Sequence, residues 1–195
     1  MAEGNPAAGR QCILGEAQRL FSRHGYHGVS VRDIVQACGL SNAALYYHFG
    51  SKKDLFFEVL QEHIATVAQQ LRTAGAGVGT CRQRLVRIAQ AYAQIILESE
   101  SAFQILFRDL TQFDREEIQE VLPDSGRQVP AVIAAILEEG ITAGEVRQVN
   151  TQRMGILLLG MVSSLMARRL YSTVEATLEE DTELVISVLF EGITV

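Results

Sequence analysis

The residues best placed to do chemistry lie in the run Ser41-Asn42-Ala43-Ala44-Leu45-Tyr46-Tyr47-His48-Phe49, followed closely by Lys52 and Lys53. Read as a short helix opened by a serine cap and closed by Gly50, the run turns Leu45 and Phe49 inward at i, i+4. Ala43 and Tyr47 then face out, flanked by Ala44 and Tyr46. Small side chains let a backbone come close to a groove, alanine methyls can meet thymine methyls, and phenolic hydroxyls can donate to phosphates. The chemistry is recognition of a duplex rather than bond making. Lys52 and Lys53 stand in the first turn of the next helix, where the positive dipole end makes a lysine unfavourable by on the order of a few tenths of a kcal/mol. A phosphate bound there would bring amides, dipole and lysines onto one anion. From position alone, a solvated pair with no role reads equally well.

Other constellations carry less. His24 and His27 have no third ligand nearby, and His63 falls on the apolar face of its helix, where a core histidine is the simpler reading. Cys12, Cys38 and Cys81 are odd in number, far apart and set in apolar helical patterns, so they read as core thiols rather than redox or metal groups. Gly75, Gly77 and Gly79 lack the lysine of a P-loop, and there is no GxGxxG, no Cys/His metal spacing and no nucleophile elbow. Glu138 and Glu139 point to different faces of a helix. An all-helical enzyme is therefore the weaker reading, and no cofactor is expected.

The net charge of −6 is unevenly spread. Residues 1–55 hold six Lys/Arg against four acids, while the remaining 140 hold eleven against nineteen. That asymmetry fits a small nucleic-acid-facing module on an acidic body, and chance variation on a solvated surface explains it almost equally well; a sequence-tolerant architectural DNA protein needs a strongly basic chain, which this is not. With 48% hydrophobic and 21% charged residues the 195-residue chain reads as an ordinary globular protein. No apolar h-region follows the N-terminus, and the longest apolar stretch, Ile156 to Ala167, is too short for a bilayer, which needs about 20 residues. A cytoplasmic protein without a membrane span is expected.

The elements that must position these residues are helical throughout. Ile13, Leu14, Ala17, Leu20 and Phe21 form one helical face that Gly25 stops; Ser30 and Asp33 resemble a capping box for a short second helix with Val31, Ile34, Val35 and Cys38 on its apolar side. Gly39 makes the turn into the helix of Tyr46 and Tyr47, completing a helix-turn-helix pattern. A long fourth helix starts at Ser51 with Asp54. Further helices are expected over Leu85 to Ile96, Ala102 to Leu110, from Pro130 to about Ala143, from Asn150 to Tyr171, and from the acids Glu179 to Asp181 to near Phe190. The stretch Thr111 to Pro130 is the least regular. The expected fold is all-α, with about nine helices.

The segment Gly39-Leu40-Ser41-Asn42-Ala43-Ala44-Leu45-Tyr46-Tyr47-His48-Phe49-Gly50-Ser51-Lys52-Lys53-Asp54-Leu55 resembles the recognition-helix signature of the TetR (tetracycline-repressor-like) family, and Ala17 through Ile34 resembles the segment before it. The resemblance covers roughly residues 9 to 60; beyond it only the helix pattern and the Glu139-Gly140 to Gly144-Glu145 stretch look familiar. It implies a helix-turn-helix DNA-binding domain over 9–55 and an effector-binding and dimerisation domain over 56–195. It further implies that Val31 and Arg32 face DNA, that Ser41, Asn42 and Ala44 lie at the groove, and that Tyr46, Tyr47, His48 and Lys52 grip the phosphate backbone. Many members have glycine or threonine where this chain has Ala43 and Ala44, so the operator sequence does not carry over. The implied activity is transcription regulation, as a repressor released by a ligand or alternatively as a ligand-responsive activator.

Two features of the body suit that role. The helix containing Ile156 to Met166 and the last helix, with Leu184 to Phe190, are apolar nearly all round and need cover on more than one side, which a second copy of the same two helices would supply. The resemblance also implies an effector site among the middle helices. Tyr92, Ile96, Phe103, Phe107, Phe113, Met161 and Leu165 are candidates for its apolar lining, with Arg108, Gln94 or Ser164 for polarity; each is equally at home in a plain core.

Overall fold

A computed structural model describes residues 6–98, 113–121, 125–171 and 176–193. Among them are nine helices and no strand: α1 Pro6–His24, α2 Val31–Ala37, α3 Asn42–Phe49, α4 Lys52–Gly75, α5 Cys81–Glu98, α6 Arg115–Val121, α7 Ser125–Thr142, α8 Thr151–Tyr171 and α9 Leu178–Glu191. The expected all-α class holds. The chain divides into two compact units, and the division falls inside α4, after His63. The first unit holds α1 to α3, the start of α4, and α6; the second holds the rest.

In the first unit α1 meets both α2 and α3, which also meet each other. The contacts follow from the apolar spacing: Ile13, Ala17 and Phe21 of α1, Ile34 of α2, Leu45 of α3 and Leu55, Phe56 and Phe57 of α4 are fully buried together. Each of the isoleucine, leucine and phenylalanine side chains contributes about 1.5–3 kcal/mol relative to exposure. Phe113, expected to line an effector cavity, belongs here instead. Its ring lies 5.0 Å from Phe57, 5.1 Å from Tyr26 and 5.7 Å from Phe56. Aromatic clustering of this kind adds roughly 0.5–1.5 kcal/mol per pair beyond the area buried, and it anchors α6 to the first unit.

In the second unit α8 packs along α7, and α5 and α9 close the bundle. Leu85, Ile88, Ile133, Leu137, Leu158 and Met166 are among its fully buried side chains. Asn150 caps α8 as expected, its side-chain oxygen accepting from the Arg153 amide at 2.9 Å, and Thr177 with Glu180 forms a capping box at α9. Two expectations need correction. The irregular stretch before Pro130 contains α6, and α7 begins at Ser125, so Pro130 lies inside a helix rather than in its first turn. The proline lacks an amide hydrogen to donate, but its fixed φ suits a helix and only one backbone bond near the solvent-facing start of α7 is lost. The helix expected over Ala102 to Leu110 lies outside the described residues.

No helix among the described residues is long and apolar enough to cross a membrane.

Candidate DNA interface

The site is assembled by three local devices. At the start of α2 the Ser30 hydroxyl accepts from the Asp33 amide while the Asp33 carboxylate accepts from the Ser30 amide at 2.8 Å, the reciprocal capping box expected from sequence. The Ser30 hydroxyl also donates to the Asp33 carboxylate at 2.6 Å, and that hydrogen bond, with the one from the Ser30 amide, holds the Asp33 carboxyl below its usual range. Between α2 and α3 the chain turns at Gly39, whose φ of +64° is a left-handed conformation that suits glycine, and the Leu40 amide returns to the Val35 carbonyl at 2.8 Å. At the start of α3 the Ser41 hydroxyl accepts from the Ala44 amide.

These devices fix which way α3 faces. Leu45 is 0% and Phe49 7% exposed, while Tyr46 is 52% and Tyr47 80% exposed. Ser41, Asn42 and Ala43 share the open surface, Ala44 is half-buried, and Arg32 of α2 is exposed beside a half-buried Val31. Ser41 therefore has a structural duty as well as an exposed position. His48 is half-buried; its ring packs edge-on against Tyr47, and its Nε2 lies 3.6 Å from where a Cβ on Gly9 would stand.

The two lysines differ from the expectation of a bare cationic pair at a helix start. Lys52 donates its ammonium to the Tyr26 carbonyl and holds it 4.1 Å from the Tyr26 ring centroid. Lys53 donates to Glu117 of α6 at 2.8 Å, and that carboxylate holds the lysine above its ordinary range. The unfavourable dipole is thus offset by partners within the protein. Tyr26 and Glu117 were not foreseen: they lie 26 and 64 residues from the lysines they meet, and no local pattern marks a pairing at that distance.

The cysteines also depart from the expectation of three core thiols. Cys12 of α1 and Cys38, the C-cap of α2, form a disulfide with Cα atoms 5.9 Å apart. Cys81 is buried and free, and burial pushes its thiol up to about 11.

Apart from Phe113, the expected effector residues fall into three groups. Tyr92 is buried in the second unit and its hydroxyl meets the Ser163 hydroxyl at 3.2 Å; Ile96, Met161 and Leu165 are half-buried against the same core. Gln94 and Ser164 are exposed. Phe103, Phe107 and Arg108 lie outside the described residues.

Two short helices locked at a glycine turn, with an outward face of small residues and tyrosines, define a helix-turn-helix DNA-binding protein. Residues 13–59 match the model of bacterial regulatory proteins of the tetR family, and residues 78–167 match a tetracyclin repressor-like C-terminal domain. The chain belongs to the TetR family of transcriptional regulators. It is 39% identical over 74 residues to the transcriptional repressor AcnR of Corynebacterium glutamicum, covering 38% of this chain and 39% of that protein. It is 28% identical over 150 residues to the transcriptional repressor KstR2 of Mycolicibacterium smegmatis, covering 73% and 69%. A crystal structure from Mesorhizobium loti, described as a TetR-family regulator, shares the fold with a TM-score of 0.80 and 16% identity over 99% of this chain and 100% of that one. The match to AcnR spans about two fifths of that relative's length.

Proposed function

We propose that this chain is a homodimeric, cytoplasmic repressor that binds a palindromic operator through α3 and leaves it when a small, largely apolar ligand binds the C-terminal part. Residues 9–55 are the DNA-binding part and 56–195 the effector-binding and dimerisation part. The observation that carries this reading is the exposure of Tyr46 and Tyr47 on a helix whose opposite side is locked into the core. Two large aromatics held side by side in water suit a surface that a partner covers. Asn42 reads a base edge, Arg32 and Val31 flank the groove, Ser41 and Ala44 allow close approach, and Tyr46, Tyr47, His48 and Lys52 hold phosphates.

Dimerisation is supported by Ile156 and Leu157 of α8 and Leu184 and Val188 of α9, all more than half exposed on the last two helices. Two recognition helices one or more turns of DNA apart read a palindrome far better than one. For the effector, the Tyr92 and Ser163 hydroxyls supply a polar point among Ile96, Met161 and Leu165. The ligand lowers operator affinity only as far as it binds the non-binding state more tightly.

The test is fluorescence anisotropy with labelled fragments from beside the chain's own gene, at fixed salt, followed by a ligand screen for release. Preference for a palindromic fragment over its scrambled copy is expected. Equal affinity for both would contradict the reading, and loss of target transcription on deleting the gene would mark an activator instead.

A further inference from the structure

We infer that Cys12 and Cys38 form an oxidation site through which the thiol–disulfide balance of the cell sets operator affinity, the disulfide holding the helix-turn-helix in its binding shape. The inference rests on the reading of α3 as the DNA-contacting helix. Cys38 is the C-cap of α2 and stands three residues before the α3 cap Ser41, so the bond ties the entry of the recognition helix directly to α1. The two ends are held unequally. Cys12 is followed in α1 by Ile13 and Leu14, which are buried, whereas Cys38 is followed by an exposed Gly39 with open space beside it. Two free sulfurs must stand apart by more than about 1 Å beyond the bonded distance. The turn, not α1, absorbs that change, and it carries Ser41 and Asn42 with it.

Both cysteines are half-buried rather than sealed, so a small reagent reaches them. The oxidant is a low-molecular-weight disulfide. A thiolate of the pair attacks it and expels one small thiolate; the second cysteine, as thiolate, attacks the mixed disulfide and expels the other. The two cysteines lose two electrons, the small disulfide is reduced to two thiols, and the two protons released by the cysteines end on those thiols. Inside cells a protein disulfide is characteristically a redox-responsive one. Cys81 is unsuited to join, being buried and with its thiol pushed up to about 11.

The experiment takes the full chain through oxidised and reduced glutathione mixtures, counts free thiols after denaturation, and measures operator anisotropy on the same samples. One free thiol per chain is expected in the oxidised form and three in the reduced form. Oxidised protein should bind on the order of tenfold more tightly, since a preordered turn loses less freedom on binding. Cys12→Ala and Cys38→Ala should each bind like the reduced form and ignore the redox mixture. Equal affinity of the two forms, tighter binding by the reduced form, or a redox response that survives in Cys12→Ala would overturn the inference. If thiol counts change as expected but no form prefers operator to scrambled DNA, the DNA reading of α3 has failed and the inference falls with it.

Discussion

Lys53 and Glu117 are joined at 2.8 Å although 64 residues separate them in sequence. The contact draws into the first unit a helix that the chain reaches only after α5, and it occupies a cation one turn beyond the recognition helix. Glu117→Gln removes a negative charge beside the DNA-facing surface and frees Lys53 for a phosphate. Operator affinity should rise several-fold at low salt, and the slope of log K against log salt should steepen by up to about 1. Titrations at four or five salt concentrations measure both, and an unchanged slope would show that Lys53 stays clear of the backbone.

The crossing of α7 and α8 depends on Gly155. A Cβ there would stand 2.6 Å from the Pro130 carbonyl oxygen, a backbone atom with little freedom to move. Gly155→Ala should destabilise the chain by about 1–3 kcal/mol through overpacking. Gly15, on the exposed side of α1 with nothing within 4 Å, is the contrasting position. Gly15→Ala should stabilise by roughly 0.5–1 kcal/mol through helix propensity. Urea unfolding midpoints of the two variants should move in opposite directions.

Two capping boxes give the fold a shared sensitivity to acid. Hydrogen bonds from Ser30 lower the Asp33 carboxyl, and those from Thr177 lower Glu180. A carboxyl whose folded pKa lies below its unfolded one adds stability that is present above the unfolded pKa and is lost as pH falls through the folded one. Helical signal and melting temperature should therefore hold from neutrality to the ordinary carboxylate range and then fall. Asp33→Asn should melt lower than the parent at pH 7, with the gap narrowing below pH ~4 as the parent's Asp33 carboxylate protonates. A gap that persists in acid would mean that Asp33 acts by some route other than its charge.

The exposed apolar side chains of the last two helices bear on assembly. Leu157→Glu places a carboxylate in the proposed two-fold interface, where an unpaired buried charge costs several kcal/mol, so the dimer dissociation constant should rise by about 100-fold or more. Sedimentation velocity over a dilution series should show monomer with unchanged helical content. An unaltered dimer would place the interface elsewhere.

The first 60 residues were legible because their determinants are local: caps three residues apart, a glycine at the turn, and an i, i+4 apolar pair that fixes the outward side of α3. The long-range partners were not. The Cys12–Cys38 bond joins two helices whose cysteines each fit an apolar stripe, so position alone favoured core thiols. Phe113 looked like cavity lining because composition does not distinguish a pocket from a core, and only the rings of Tyr26, Phe56 and Phe57 decide its place. The start of α7 was hidden by Pro130, a residue that reads as a helix start and here falls five residues later.

The central claim concerns the outward side of α3, and Tyr47→Ala tests it most directly, because that side chain is 80% exposed and its loss leaves the core untouched. Anisotropy with the operator fragment, beside thermal unfolding of the same samples, should show binding weakened by about 1 to 3 kcal/mol with melting temperature and dimer mass unchanged. Full operator affinity in the variant would contradict the account and remove α3 from the interface.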